Sequence, residues 1–314
     1  MATVVQYSRI GGPEVLEVVE VPTPSAPADG VVVEVQAVGL NPVDIKQRAG
    51  KRATPPITQP RRTGADAAGV ITEIGDNVTD WKVGDKVIVV GASGAYASHL
   101  VADASQLEPK PSVWTWEQAA GVGIPVGTAY QALRSLGVTS GTRLLIHAGS
   151  GAVGQAAIQF AVAWGASVVA TAGESNQDRV RELGATPVVY GDGLTERVKA
   201  VAPDGIDTVL DAAGTDEALQ TSFDLVADRS HIGTVVVGER AAELGIRAWS
   251  GGNPIPLTDE EQRLRREGIA AAAELAAQGK FDVEIGARFA LADAADAQRA
   301  SEAGRVRGKI VLIP

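Results

Sequence analysis

The sequence contains no cysteine. Disulfides, thiolate nucleophiles, thiolate metal sites and iron–sulfur clusters are therefore excluded together. Histidine is scarce: only His99, His147 and His231 occur. None stands in the His-x-x-x-His or Glu-x-x-His spacing that brings two metal ligands onto one helix face, so no metal site is expected. Basic residues are in deficit, 28 against 38 acidic ones, for a formal charge of -10. That leaves no basic stripe for a nucleic-acid backbone, and no nucleic-acid partner is expected. No run approaches the 18 or so apolar residues that a membrane span needs. The first residues, Met1-Ala2-Thr3-Val4-Val5-Gln6, lack a basic stretch followed by an apolar one, so no secretory leader is expected and a cytoplasmic protein is. Glycine, by contrast, is abundant at 36 residues. Each glycine costs backbone entropy on folding, so many must serve turns and close approaches.

At 314 residues the chain exceeds what one hydrophobic core usually supports, and two domains are expected. The first part reads as short strands with glycine turns at 31–38, 70–74 and 86–90, the pattern of a barrel-like unit. Prolines and basic residues crowd 51–62, which reads as an exposed loop. From about residue 116 the pattern changes. Two short helices broken at Gly121, Gly123 and Pro125 are followed by alternating strands and helices: strands at 143–148, 166–171, 187–190, 206–210 and 232–237, helices at 152–164, 178–183, 194–202 and 219–226. That period predicts a parallel sheet covered by helices on both faces. Helices at 259–279 and 290–303 and a strand at 309–313 close the chain. The predicted fold class is α/β plus β.

The sharpest local feature is Gly149-Ser150-Gly151-Ala152-Val153-Gly154, between a predicted strand and a predicted helix. Gly149 allows the tight turn, Gly151 lets a pyrophosphate approach the backbone, and Gly154 permits close helix–strand packing. The N–H groups and dipole at the helix start favour phosphate. The next strand ends Ala170-Thr171-Ala172-Gly173 with no acid to hold a ribose 2′-hydroxyl; Glu174 follows one position late. That favours NADPH over NADH, with Thr171 and Gly173 lining the site and Ser175, Asn176 and Arg179 as candidates for a 2′-phosphate. The alternative for Arg179 is a solvent-facing place on its helix.

Over nearly its whole length the chain resembles the zinc-free quinone oxidoreductases, related to zeta-crystallin, of the medium-chain dehydrogenase/reductase superfamily. The resemblance is carried by Gly11-Gly12-Pro13-Glu14-Val15-Leu16, Val38-Gly39-Leu40-Asn41-Pro42-Val43-Asp44, Gly64-Ala65-Asp66-Ala67-Ala68-Gly69, Val83-Gly84-Asp85-Lys86-Val87, Gly94-Ala95-Tyr96-Ala97, Gly127-Thr128-Ala129-Tyr130, the glycine motif and Gly308-Lys309-Ile310-Val311-Leu312. It implies a GroES-like barrel domain with an inserted Rossmann domain: residues 1–118, then 119–256 for the nucleotide, with 257–314 returning to the barrel and the cofactor lying in the cleft. The cysteine and histidine of zinc-dependent relatives, expected near Asn41-Pro42-Val43-Asp44 and Gly64-Ala65-Asp66, are missing.

Residue by residue, the resemblance places Asn41 and Thr128 at the nicotinamide, and Ala148, Gly151, Ala152, Val153 and Gly154 at the phosphates. It puts Asp211 and Ala212 near the ribose, Val237 and Gly238 near the nicotinamide, and Lys309 near the phosphates, although Lys309 could be a surface residue. The implied reaction is metal-free hydride transfer from NADPH to a quinone, in a homodimer whose strand 234–237 pairs across the two-fold. The alternatives are an enone or 2-alkenal reductase, or an NADPH-binding protein without turnover. A quinone needs little acid help. For an enone, Tyr130, Lys46 and Asp44 are the polar groups at hand; Asn41 and Tyr130 are the catalytic candidates, and Tyr130 could equally be a core residue. The tyrosine that many relatives carry shortly after the asparagine is absent. Residues 239–256, which should shape the substrate pocket, match no pattern. Arg61-Arg62 is expected on a solvent-facing loop.

Overall fold

The computed structural model describes residues 1–52 and 54–314; of the loop predicted at 51–62, residue 53 lies outside the described residues. The chain divides into two units, Met1–Ile124 with Val283–Pro314, and Pro125–Asp282.

The first unit is built around Gly30–Gly39, whose valines are buried whichever face they point to and whose backbone is paired by strands along both edges. It pairs antiparallel with Asp66–Ile74 and His99–Asp103. The C-terminal strand Lys309–Ile313 returns to the same sheet, with Val311 opposite Gly39 and Leu312 opposite Val38. Register shifts between Val35 and Ala37 bend the pair, as bulges do in barrel-like sheets. Val31, Val33, Val35, Ile71, Val87, Val89 and Leu100 fill the interior. A smaller sheet joins Ala2–Tyr7 to Glu17–Val21 and to Arg61–Arg62. The arginine pair expected on a loop is thus a short strand opposite Gln6 and Tyr7, with Arg61 Nη2 donating to the Pro55 carbonyl at 2.7 Å. The strands Ala2–Tyr7, Glu17–Val21 and Ile285–Ala290 had no sequence expectation; the last is exposed on alternate positions and only half-buried on the others.

The second unit is a six-stranded parallel sheet in the order Thr186–Val189, Ser167–Ala172, Arg143–His147, Thr208–Asp211, Ile232–Thr234, Arg247–Ala248. Arg143–His147, the strand that comes first in the chain, lies centrally, and the chain winds outward from it in both directions. This order has its switch point at the C-terminal end of Arg143–His147, where such sheets bind ligands. Two expectations are corrected here. The strand predicted at 232–237 ends at Thr234, because Thr234 Oγ1 accepts the N–H groups of Val236 and Val237 and turns the chain out of the sheet. Nor does 234–237 form a sheet edge for dimer pairing: Arg247–Ala248 takes the edge. The helix Asp259–Ala277 belongs to this unit, burying Ile269, Ala272 and Ala276 and setting Gly268 against Tyr130. The chain accordingly re-enters the first unit at Val283, beyond the expected 257. Among the described residues, no helix is long and apolar enough to cross a membrane.

Candidate functional site

The glycine motif closes the strand Arg143–His147 and opens the helix Ala152–Ala163. Ala148 is left-handed at φ 60°, the one non-glycine residue with positive φ among the described residues. The turn is held from the next strand: Gly149 N–H donates to the Thr171 carbonyl at 2.8 Å and Ala148 N–H to Thr171 Oγ1 at 3.2 Å. Gly151 is the N-cap of the helix and offers no side-chain cap. The first-turn N–H groups of Ala152, Val153 and Gly154 have no partner four residues back, which leaves them available to an anion. A Cβ on Gly154 would lie 2.2 Å from the Ala148 carbonyl oxygen, whereas one on Gly151 would meet only that oxygen at 3.5 Å. The third glycine is a packing requirement, and the second keeps space open.

At the neighbouring strand end, Asn176 Nδ2 reaches Ser150 Oγ at 3.4 Å, joining the turn to the segment after Gly173. Ser175 is exposed. Arg179 behaves differently from the expectation of a phosphate ligand. Its Nη2 donates to Asp282 Oδ2 at 2.7 Å and its Nε to Gln155 Oε1 at 3.0 Å, with Glu182 at 3.7 Å. The guanidinium ties its helix to the end of the unit, and two carboxylates offset its charge. One residue missed in the sequence stands closer: the Tyr190 hydroxyl lies beside Gly173, and its ring is 58% exposed. Its only sequence signal was its place at the end of the third strand.

Asp211 is buried beside His147 in the sheet. Its Oδ1 accepts the N–H groups of Ala213 and Gly214 at 3.0 and 2.8 Å, and its Oδ2 the Thr234 hydroxyl at 2.8 Å. It shapes the turn after its strand and has spent its oxygens on protein donors. Ala212 and Val237 are half-buried, and Gly238 is buried with its Cα against Ser250. His147 is fully buried between Thr171 and Ser222, and burial pushes its imidazole down to about 4, against a smaller upward pull from Asp211. An unfolded histidine titrates near 6.5. Between those values the unfolded chain binds the extra proton, so this contribution to stability is complete above about pH 6.5 and is lost as pH falls toward 4, on the order of 3 kcal/mol in all. Urea midpoints at pH 7 and pH 4.5 check this: wild type should lose more stability between them than His147→Gln, and equal losses would refute it.

Thr128 and Tyr130 lie on the helix Gly123–Ser135. Thr128 is 3% exposed and its hydroxyl has no partner among the described residues. Buried hydroxyls normally have one, so this atom is suited to a ligand. Tyr130, an expected acid, is a core aromatic instead. Its ring meets Phe160 and Trp164 edge-on at 5.1 and 5.4 Å, and its hydroxyl accepts from Arg134 Nη2 at 3.5 Å.

In the first unit, Asn41 caps the helix Pro42–Arg48 and is 1% exposed. Its Nδ2 donates to Asp66 Oδ2 at 2.9 Å and to the Gly39 carbonyl at 3.2 Å, and its Oδ1 accepts from Lys309 Nζ. Both amide hydrogens are used, so Asn41 has no donor left for a substrate. Asp44 reaches back to the Asn41 N–H at 2.9 Å and accepts the Tyr96 hydroxyl at 3.2 Å. Lys309, expected at the phosphates or on the surface, is 4% exposed and held in this cluster. Burial raises Asp44, to about 7, and Asp66, while it lowers Lys309. Two carboxyls and one ammonium that share a dry site are neutral when one carboxyl keeps its proton, which avoids a net buried charge.

Comparison with known proteins places these features in context. Residues 27–112 match the alcohol dehydrogenase GroES-like domain and residues 183–312 the zinc-binding dehydrogenase family. The chain is 32% identical to the quinone oxidoreductase of Salmonella typhimurium, with all of both chains covered. The quinone oxidoreductase structure of Pseudomonas syringae superposes with a TM-score of 0.84 at 30% identity over the whole of both chains. That of Escherichia coli quinone oxidoreductase complexed with NADPH superposes with a TM-score of 0.85 at 25% identity, covering 99% of this chain and 100% of that one. The zinc in the second family's description does not fit this chain. Zinc takes cysteine, histidine or carboxylate in a tetrahedral set. Cysteine is absent from the sequence, and among the described residues no three such side chains are grouped to hold a metal.

Proposed function

Because the chain belongs to the quinone oxidoreductases of the medium-chain dehydrogenase/reductase superfamily, we propose that it is an enzyme that reduces a quinone with NADPH and uses no metal. The observation that carries this reading is the phosphate turn: an uncapped helix start with open space at Gly151 and none at Gly154. NADPH, when bound, supplies the hydride. The chain's own residues bind and orient. The N–H groups of Ala152, Val153 and Gly154 hold the pyrophosphate. Ser150, Asn176 and the Tyr190 hydroxyl border the ribose end, where the missing strand-end acid leaves room for a 2′-phosphate. Arg179 orders that segment from behind. Asn41, clamped by Asp66 and Lys309, acts as a rigid support. Hydride transfer leaves the reduced quinone one proton short, and it takes that proton from solvent, since Tyr130 is committed to the core. A homodimer in the cytoplasm belongs to the same proposal; the dimer rests on family likeness alone, and sedimentation velocity tests it.

Paired calorimetric titrations with NADPH and NADH are the test, followed by turnover with ortho-quinones and with enones. Tighter NADPH binding, at least tenfold or about 1.4 kcal/mol, and turnover of quinones are expected. Equal NADH binding would point to Glu174 as ribose partner, and turnover of enones alone would overturn the acceptor. Thr128→Val gives a second check. Since the hydroxyl has no partner among the described residues, the variant should be as stable as wild type or more so by about 1 kcal/mol, yet bind NADPH several-fold more weakly. A variant with unchanged affinity would remove Thr128 from the site.

A further inference from the structure

We propose that His147 is a positioning residue that holds the phosphate turn in its binding form through a directed chain of hydrogen bonds. The inference rests on the turn being the NADPH phosphate site. Its geometry begins at the strained residue. Ala148, left-handed at φ 60°, donates its N–H to Thr171 Oγ1 at 3.2 Å. The Thr171 hydroxyl faces His147 Nδ1 at 3.3 Å. On the far side of the ring, His147 Nε2 faces Ser222 Oγ at 3.2 Å, and the Ser222 hydroxyl donates to the Ala218 carbonyl at 2.7 Å. His147, Thr171 and Ser222 are each at least 98% buried, so no water need be invoked.

The protons follow from this arrangement. Ser222 has one hydrogen and gives it to Ala218, so its oxygen must accept from His147, which puts the imidazole proton on Nε2. Nδ1 is then an acceptor and takes the Thr171 hydrogen. Thr171 Oγ1 keeps its lone pairs for Ala148 N–H. Each hydroxyl has one direction in which to point, and the imidazole has one tautomer. The consequence lands on Ala148. A left-handed conformation is unfavourable for an alanine, whose Cβ crowds the backbone there, and it persists where surrounding bonds over-determine it. The Ala148 carbonyl in turn accepts Gly151 N–H at 3.1 Å and bounds the space beside Gly154. Releasing Ala148 therefore reshapes the peptide groups that would meet the pyrophosphate. The helix Asp216–Leu225, which carries Ser222, is thereby coupled to the turn although it contributes no group to it.

The test uses Thr171→Val, which keeps the shape and deletes the hydroxyl, with Thr171→Ser as the conservative rescue. Calorimetry should show NADPH binding weakened at least about tenfold in Thr171→Val and restored to within about threefold of wild type in Thr171→Ser. Adenosine 2′-monophosphate, which has no pyrophosphate, should bind wild type and Thr171→Val within about twofold of each other. A merely structural role would lower the urea midpoint and shift both ligands together. If Thr171→Val does not fold, Ser222→Ala decides the matter. It frees the imidazole to move its proton to Nδ1 and to compete with Ala148 for Thr171, and should weaken NADPH binding about threefold or more while leaving the nucleotide monophosphate unaffected. Wild-type affinity for NADPH in a folded Thr171→Val, or in Ser222→Ala if that variant has to stand in, overturns the inference while the cofactor reading stands. Failure of wild type to bind NADPH removes the cofactor reading and this inference with it.

Discussion

Gly154→Ala is expected to weaken NADPH binding by at least about a hundredfold and to destabilise the fold by about 1–3 kcal/mol or more. The added methyl would lie 2.2 Å from the Ala148 carbonyl oxygen and 2.7 Å from Gly149 Cα. Both are backbone atoms, so no rotamer change relieves the overlap. The helix Ala152–Ala163 must move away from its strand, or the turn must open, and either displaces the N–H groups assigned to the pyrophosphate. Gly151→Ala is the matching control. Its methyl meets only the Ala148 carbonyl oxygen at 3.5 Å, an ordinary contact. It should leave the urea midpoint unchanged and weaken NADPH binding by occupying space that the phosphate needs. Calorimetry and urea unfolding on the two variants give a clear outcome. If Gly154→Ala binds NADPH as wild type does, the turn is not the phosphate site; if Gly151→Ala unfolds readily, the division between a packing glycine and an access glycine is wrong.

Lys309→Met should cost about 3–5 kcal/mol near pH 8 and clearly less at pH 5. The lysine is the cation against which Asp44 and Asp66 are buried, and it holds Asn41 Oδ1. The sign follows from the carboxyls. Asp44 titrates near 7 in the folded chain against 3.8 as an ordinary aspartate. The folded state therefore binds more protons in that window, and stability from this group is complete below about 3.8 and lost as pH rises through 7. Without the ammonium both carboxyls rise further, so the variant suffers most where they would have to ionise. At pH 5 Asp44 keeps its proton and burial favours the neutral form of Asp66 as well, so the cluster carries less uncompensated charge. Urea unfolding of wild type and variant at the two pH values tests this, and an equal loss at both would show that the cluster does not share its charges in this way. Lys309→Met combined with Asp66→Asn should recover part of the loss at pH 8, because it removes the orphaned charge with its partner.

The two variants differ in how far their targets could be foreseen. Gly154 stood out because its role depends on a spacing of a few residues, set by the turn from one strand into the next helix. Asn41 and Lys309 meet across 268 positions of sequence, and Arg179 finds Asp282 across 103. No periodicity carries that information. Resemblance brought Asn41 and Lys309 to notice but placed Lys309 at the phosphates, where the return of the C-terminal strand to Gly30–Gly39 instead delivers it beside Asn41. Tyr130 shows the same limit. Its residue type fits an acid and a core aromatic equally, and only Phe160 and Trp164, from a helix further along the chain, make it the second.

The strand at 232–237 failed for a related reason. Three successive valines after Thr234 have every local preference for a strand, yet one hydroxyl that accepts two backbone N–H groups ends the ladder. By itself the sequence determined the absence of thiolate chemistry, the run of parallel strands and the phosphate turn. Each of these depends on residue type or on a repeat of two to four residues, which the covalent chain carries directly. The tertiary structure alone decided which buried charges neutralise one another, which arginine is already engaged, and which direction the hydrogen bonds behind the turn run. Those are pairings between distant segments, and their energies exist only once the fold has removed the partners from water.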